Sequence, residues 1–249
     1  NFSAIFGENN TITDLAPHSF IAGSDNQALG TNSTVFGDNC SSANYSFSAG
    51  SHCDASGDYS VAMGINNETP GFYSVALGGA NYAFGESSLA LGRNSRALGI
   101  ISGAIGCHTI AGGAFSVAIG RECVIGSDAS NSYCLGAECN ILGKESIALG
   151  SKSIANGDNC FVGSGGYASE DASNSVAIGY GTKVLKGGAI CLGYDSSANN
   201  THSIAIGKNC DISGNFAVGL GFNSQCSGDY SFSVGESCKT IGEHTISVG

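Results

Sequence analysis

The sequence has no tryptophan, one methionine and two prolines in 249 residues, and only 12% of it is charged. Charge at roughly half the usual share, beside 42% apolar residues, excludes a chain kept disordered by solvation. Scarce proline, and glycine without a three-residue period, exclude collagen. Few Glu, Lys and Leu residues argue against a helical bundle. No apolar run approaches the ~20 residues that span a bilayer, so no membrane insertion is expected in this segment. Cationic residues are scarce too: 9 Lys and Arg stand against 20 Asp and Glu, a net charge of -11. Such a surface repels phosphate backbones and anionic lipid, and no nucleic-acid partner is expected. The phosphate-cradling G-x-x-x-x-G-K-[ST], the nucleophile elbow G-x-S-x-G, the zinc motif H-E-x-x-H and the calcium nonapeptide G-G-x-G-x-D do not occur. No catalytic residue, cofactor or metal is therefore assigned.

What is abundant is glycine, 39 residues, and for its size cysteine, 11 residues. A pentapeptide of Ser, apolar, small, apolar and Gly recurs as Ser60–Gly64, Ser74–Gly78, Ser88–Gly92, Ser102–Gly106, Ser116–Gly120, Ser146–Gly150, Ser175–Gly179 and Ser203–Gly207. Its closing Gly falls 18 times between Gly7 and Gly249; of the 17 intervals twelve are 14, three are 16 and two are 13. A second Gly follows seven residues later in most copies, so Gly64, Gly78, Gly92, Gly106 and Gly120 alternate with Gly71, Gly85, Gly99 and Gly113 as turn glycines. Asp14, Asn44 and Asn200 replace the second Gly, which suggests a slot wanting positive φ. Each unit then reads turn, strand, turn, strand. Strands this short must stack on the next unit to bury anything, so the expected fold is an all-β parallel β-solenoid, a flattened β-roll of about 18 coils. At a strand spacing of about 4.8 Å, 17 steps imply a rod on the order of 80 Å long. Residues 1–249 are expected to be one elongated domain, a segment of a longer fibrous protein.

Strand alternation divides the pentapeptide between two faces. Val61, Met63, Val75, Leu77, Leu89, Leu91, Val117, Ile119, Ile147, Leu149, Ile204 and Ile206 are expected to fill the coil core. The intervening column Ala62, Ala76, Ala90, Ala104, Ala118, Cys134, Ala148, Ala177, Cys191 and Ala205 is then expected to face outward. A flat, small, apolar stripe suits close approach by a second rigid surface, so it is the expected oligomer interface. Six cysteines (Cys40, Cys53, Cys123, Cys139, Cys210 and Cys238) fall three residues after the first Gly, a slot for small residues, and are expected to be mostly thiols. His18, His52, His108, His202 and His244 are spread over distant units and are read as solvated turn residues. Two of the 16-residue units end in nearly the same loop. Asp128 and Asn131 mark one, Glu170, Asp171 and Asn174 the other, and these are the candidate binding loops.

The unit SVAIG, verbatim at Ser116–Gly120 and Ser175–Gly179, with a second half such as Gly92–Gly99, resembles the 14-residue head repeat of YadA-type trimeric autotransporter adhesins. The resemblance covers essentially the whole chain. It implies a left-handed parallel β-roll, three chains around one axis, and display on a fibre outside the cell, anchored to the outer membrane through a part not in this segment. It also implies attachment to extracellular matrix or to molecules of host or other cell surfaces. Cysteine is the departure from the family pattern, since it is unusual in a chain that crosses an oxidising compartment. A virus or phage fibre built from the same repeat, placed on a virion surface, is the alternative. Ile119–Ser130 also matches the six-residue rhythm of left-handed β-helix acyltransferases, but that rhythm fails elsewhere and 14 governs.

Overall fold

The computed structural model describes residues 2–249, and every element among them is a β-strand or a turn. The chain falls into two compact units, residues 1–122 and 123–249. Each is a parallel β-solenoid in which long strands, mostly of five residues, alternate with two-residue strands. The first unit has nine long strands, from Ala4–Glu8 to Val117–Arg121; the second also has nine, from Tyr133–Ala137 to Ile246–Val248. Within each unit the strands pair in parallel from one coil to the next, as Val75–Gly79 does with Leu89–Arg93. Tyr82–Ala83 pairs with Arg96–Ala97 in the same way. Backbone bonds also join the coils outside the strands, for example Val75 N–H to Ser88 O at 2.9 Å and Tyr82 N–H to Ser95 O at 2.9 Å.

The alternation along the long strand is present, but its two faces are exchanged relative to the expectation. Ala62, Ala76, Ala90, Ala104, Ala118, Ala148, Ala177, Cys191 and Ala205 are fully buried inside their own coil, and Cys134 is 1% exposed. They are core, not an interface. Val61, Val75, Leu77, Leu89, Leu91, Val117, Ile119, Ile147 and Ile204 are only part-buried, and Met63, Leu149 and Ile206 are exposed. These lie outside the coil. The reason is steric. A 14-residue coil closes so tightly that its long and short strands share an interior one small side chain deep on each side. Ala83, Ala97 and Ala111 of the short strands are as buried as Ala76, Ala90 and Ala104. Ser42 Oγ of a short strand meets Ser48 Oγ of the next long strand at 3.0 Å across this gap. Larger core residues are matched by smaller ones. A Cβ on Gly219 would collide with Cδ1 of Ile212, which fills the space instead.

The glycines also need a corrected account. Gly64, Gly78, Gly92, Gly106 and Gly120 do have positive φ, between 116° and 133°. Gly71, Gly85, Gly99 and Gly113 do not, and the first three are glycine for lack of room. A Cβ on Gly85 would strike the carbonyl oxygen of Gly99 in the next coil. The true left-handed positions are two and nine residues after the closing Gly. Asn66 (φ 54°), Asn94 (φ 54°), Tyr59 (φ 59°) and Tyr73 (φ 56°) are examples. Gly163 leaves the comb as well: it pairs with Leu149 and Ile178, one place before the closing-Gly column. Ser164, with φ 54°, and Gly165, with φ 82°, make the turn there.

Candidate functional site

The two sides of each coil differ in chemistry. On the long-strand side the two outward columns that flank the buried one are mostly Val, Ile, Leu and Phe, interrupted in the first unit by Ala4, Ala22, Thr34, Ala49 and Gly103. They include Phe20, Phe36, Phe47, Met63, Leu77, Leu91 and Ile119 in the first unit and Leu135, Leu149, Ile178, Leu192, Ile206 and Leu220 in the second. Met63 is 41% and Leu135 51% exposed, although neither borders a turn. Phe6, Phe20, Phe36 and Phe47 form a ring ladder on this side, with centroids 5.3–6.0 Å apart. On the short-strand side the outward residues are mostly polar: Gln27, Ser41, Asp54 and Arg96 in the first unit, Asn140, Lys183, Ser197 and Asp211 in the second. They bond along the stack, Ser41 Oγ to Asp54 Oδ1 at 2.6 Å and Ser197 Oγ to Asp211 Oδ1 at 2.8 Å. One face is built for water and the other is not.

The turns carry a third kind of surface. All five histidines occupy left-handed positions, with φ from 54° to 62°, which gives the turn reading a backbone cause. Two of them close a stack of four rings in the second unit, His202–Phe216–Tyr230–His244, with centroids 5.0–5.2 Å apart and planes within 10° of parallel. Tyr45, Tyr59 and Tyr73 stack likewise in the first unit. Because each ring lies one coil above the last, the ladder spacing sets the ring spacing. Lys208 sits between Tyr194 and Phe222, 5.6 and 5.7 Å from their centroids.

The candidate loops prove to be one turn used repeatedly. Ala16, Ala129 and Ala172, each in a 16-residue unit, are buried at 0–1% exposure. Their N–H groups donate three residues back, to Thr13 O, Gly126 O and Ser169 O. Asn131 and Asn174 take the left-handed position, with φ 53° and 59°. Asp128, Glu170 and Asp171 are exposed. The Lys186 ammonium donates to Asp171 at 2.7 Å and holds that carboxyl below its ordinary range. An open depression of about 1250 Å³ lies in the second unit, lined by Lys152, Tyr180, Lys183, Asp195, Asn199 and Asp211 among others. It opens where the strands Phe161–Gly163 and Val176–Ile178 stop two residues short of their neighbours. Shortened strands were not signalled by the repeat itself; the Ser164-Gly165-Gly166 sequence was the available sign.

The slot three residues after the closing Gly has a chemical role. Its side chain donates to the carbonyl of the closing Gly one coil on: Asn81 Nδ2 to Gly92 O at 2.9 Å, Ser95 Oγ to Gly106 O at 3.1 Å, Cys210 Sγ to Gly221 O at 3.3 Å. Cysteine thus stands in for Asn and Ser as a weaker donor. All eleven cysteines are thiols, and all but Cys107 are buried. Burial pushes the Cys191 thiol up to about 11. Two groups depart from the lone-donor arrangement. Cys40 Sγ accepts from the Cys53 N–H in the same slot of the next coil at 3.4 Å, and the two neighbouring thiols shift each other, Cys40 up and Cys53 down. In the second unit Cys123, Cys134 and Cys139 converge, their sulfurs all within 4.8 Å of one another. The close approach of the Cys134 and Cys139 thiols raises the first and lowers the second.

The family described as "YadA head domain repeat (2 copies)" matches residues 55–78, 70–95, 142–159 and 186–209, in both units. These stretches, a third of the chain, carry YadA head repeats. Its parallel solenoid, with about 14 residues per coil, is the architecture of a YadA-like head. This is a structural, adhesin-type family and not a family of enzymes, and its heads come from surface-exposed adhesins. No curated protein matches the chain.

Proposed function

We propose that the protein is a non-enzymatic, surface-displayed adhesin head that works as a homotrimer, with the long-strand faces of three chains packed together. The observation that carries this reading is the asymmetry of the coil: outward Val, Ile, Leu and Phe columns on the long strands, outward polar residues on the short ones. An apolar face of that extent costs solvation unless it is covered, and copies of the same chain present matching columns at matching spacing. With the long strands covered, the polar short-strand face and the turns remain for contact. Their repetition suits many weak, simultaneous contacts to extracellular matrix or to host or other cell surfaces. Sedimentation equilibrium tests the assembly: a trimer is expected for the wild type and a folded monomer for Leu77→Glu with Leu91→Glu. A trimer unchanged by the pair of glutamates would sink the interface. Adhesion is read from binding to matrix-coated surfaces, where monomers should bind far more weakly than trimers.

A second reading, a virion or phage fibre of the same architecture, is favoured by the burial of ten thiols inside the coils. Thiol counting on denatured, non-reduced protein separates the two. Eleven reactive thiols favour assembly in a reducing compartment, and extensive pairing favours secretion.

A further inference from the structure

We propose that Cys123, Cys134 and Cys139 form an all-sulfur site for one soft, thiophilic metal ion, monovalent copper, buried between successive coils of the second unit. Their three sulfurs lie within 4.8 Å of one another, and the residues are at most 1% exposed. Three sulfurs bound in a plane to one ion at about 2.3 Å stand about 4 Å apart. The cluster therefore closes on an ion through side-chain rotations of less than an ångström or so per sulfur, without moving the strands. The site offers three sulfurs and no solvent. Zinc takes four ligands, whereas monovalent copper is fully coordinated by three sulfurs in a plane, and soft ligands select it. Coordination is not a redox step. Each thiol that binds as thiolate releases its proton to solvent.

The arrangement is not a by-product of using cysteine as a small residue. Cys123 and Cys139 occupy the donor slot of successive coils, and Cys134 occupies the core column of the long strand between them. Cys191 also sits in the core column, but the slot residue of its own coil is Ser196, whose carbonyl oxygen the Cys191 thiol meets at 3.1 Å. Among the described residues only Cys123, Cys134 and Cys139 are a group of three possible metal ligands. Around them, Gly136 O accepts from Cys123 at 3.2 Å and Gly150 O accepts from Cys139. These carbonyls leave the sulfurs when an ion is bound but keep their negative ends toward it.

The repeat supplies substitutions that keep the fold. Ala is the native residue in the column of Cys134, at Ala148 and Ala177, and Ser is native in the slot of Cys139, at Ser153 and Ser196. The test is an anaerobic titration of the whole chain with copper(I) against a chromophoric copper(I) chelator, reading bound copper per chain and the ultraviolet sulfur-to-copper absorption. Wild type is expected to hold one tight equivalent more than Cys134→Ala or Cys139→Ser, with circular dichroism unchanged in both. A chain with Cys40→Ser, Cys53→Ser and Cys107→Ser is expected to keep that equivalent. Equal copper in wild type and in both cluster variants overturns the proposal, as does loss of the equivalent in the triple serine chain. Because all three sulfurs belong to one chain and are buried within it, the result is independent of whether three chains assemble.

Discussion

At the scale of single residues, room rather than polarity decides what is tolerated. Gly85 and Gly79 make a matched pair: a Cβ at Gly85 strikes the Gly99 carbonyl, and a Cβ at Gly79 meets nothing within 4 Å. Gly85→Ala is expected to lower stability by about 2 kcal/mol or more, since backbone of the neighbouring coil has to shift. Gly79→Ala is expected to leave stability unchanged or raise it by about 0.5 kcal/mol through the unfolded chain. Thermal melts of the two variants check both signs. The same contrast separates Ala90, fully buried in the coil, from Leu91, part-buried beside it. Ala90→Leu overfills an interior sized for methyl groups and is expected to cost about 1–3 kcal/mol in chemical denaturation. Leu91→Glu is expected to spare the coil and act on assembly alone, read by sedimentation.

At the scale of strands and turns, the period announces the architecture. The recurrence of Ser-apolar-small-apolar-Gly gives two short strands per coil, and the chain folds so. Which side of the strand faces inward is not contained in alternation, because a period of two fixes that faces differ and not which is buried. Volume holds the missing information. Where the core column carries Ile21 or Val35, the following short strand carries Ala28 or Ser42; where it carries Ala177, the short strand carries Val184. A reciprocal exchange of large and small marks a shared, narrow interior, whereas Val61 and Met63 show no such partner. The left-handed turns were half visible, in Asn9, Asn32, Asn39, Asn66 and Asn94, and half hidden under Tyr59, Ile101 and Phe115, residues that do not ordinarily favour that region. The thiol cluster depends on the donor slots of two successive coils and the core column between them converging in space. No spacing rule for metal ligands describes that.

At the scale of the molecule, each unit consists of coils that touch only the coil before and the coil after. The donor slot ties them one to the next, as in the run Asn67, Asn81 and Ser95, where each Asn Oδ1 accepts from the next slot's N–H at 2.9 Å. Stability is then expected to fall nearly linearly with coils removed from an end, rather than collapsing at the first deletion. A truncation series followed by urea denaturation checks this. The hydrogen bonds between coils also have a mechanical meaning. They point along the direction in which coils are stacked, so tension along that direction pulls one row apart at a time instead of shearing many rows together. A tether pulled this way yields in small increments. Each freed coil of 14 residues pays out roughly 45–50 Å of chain. The roll would act as a graded shock absorber under flow, lengthening before any single attachment has to let go.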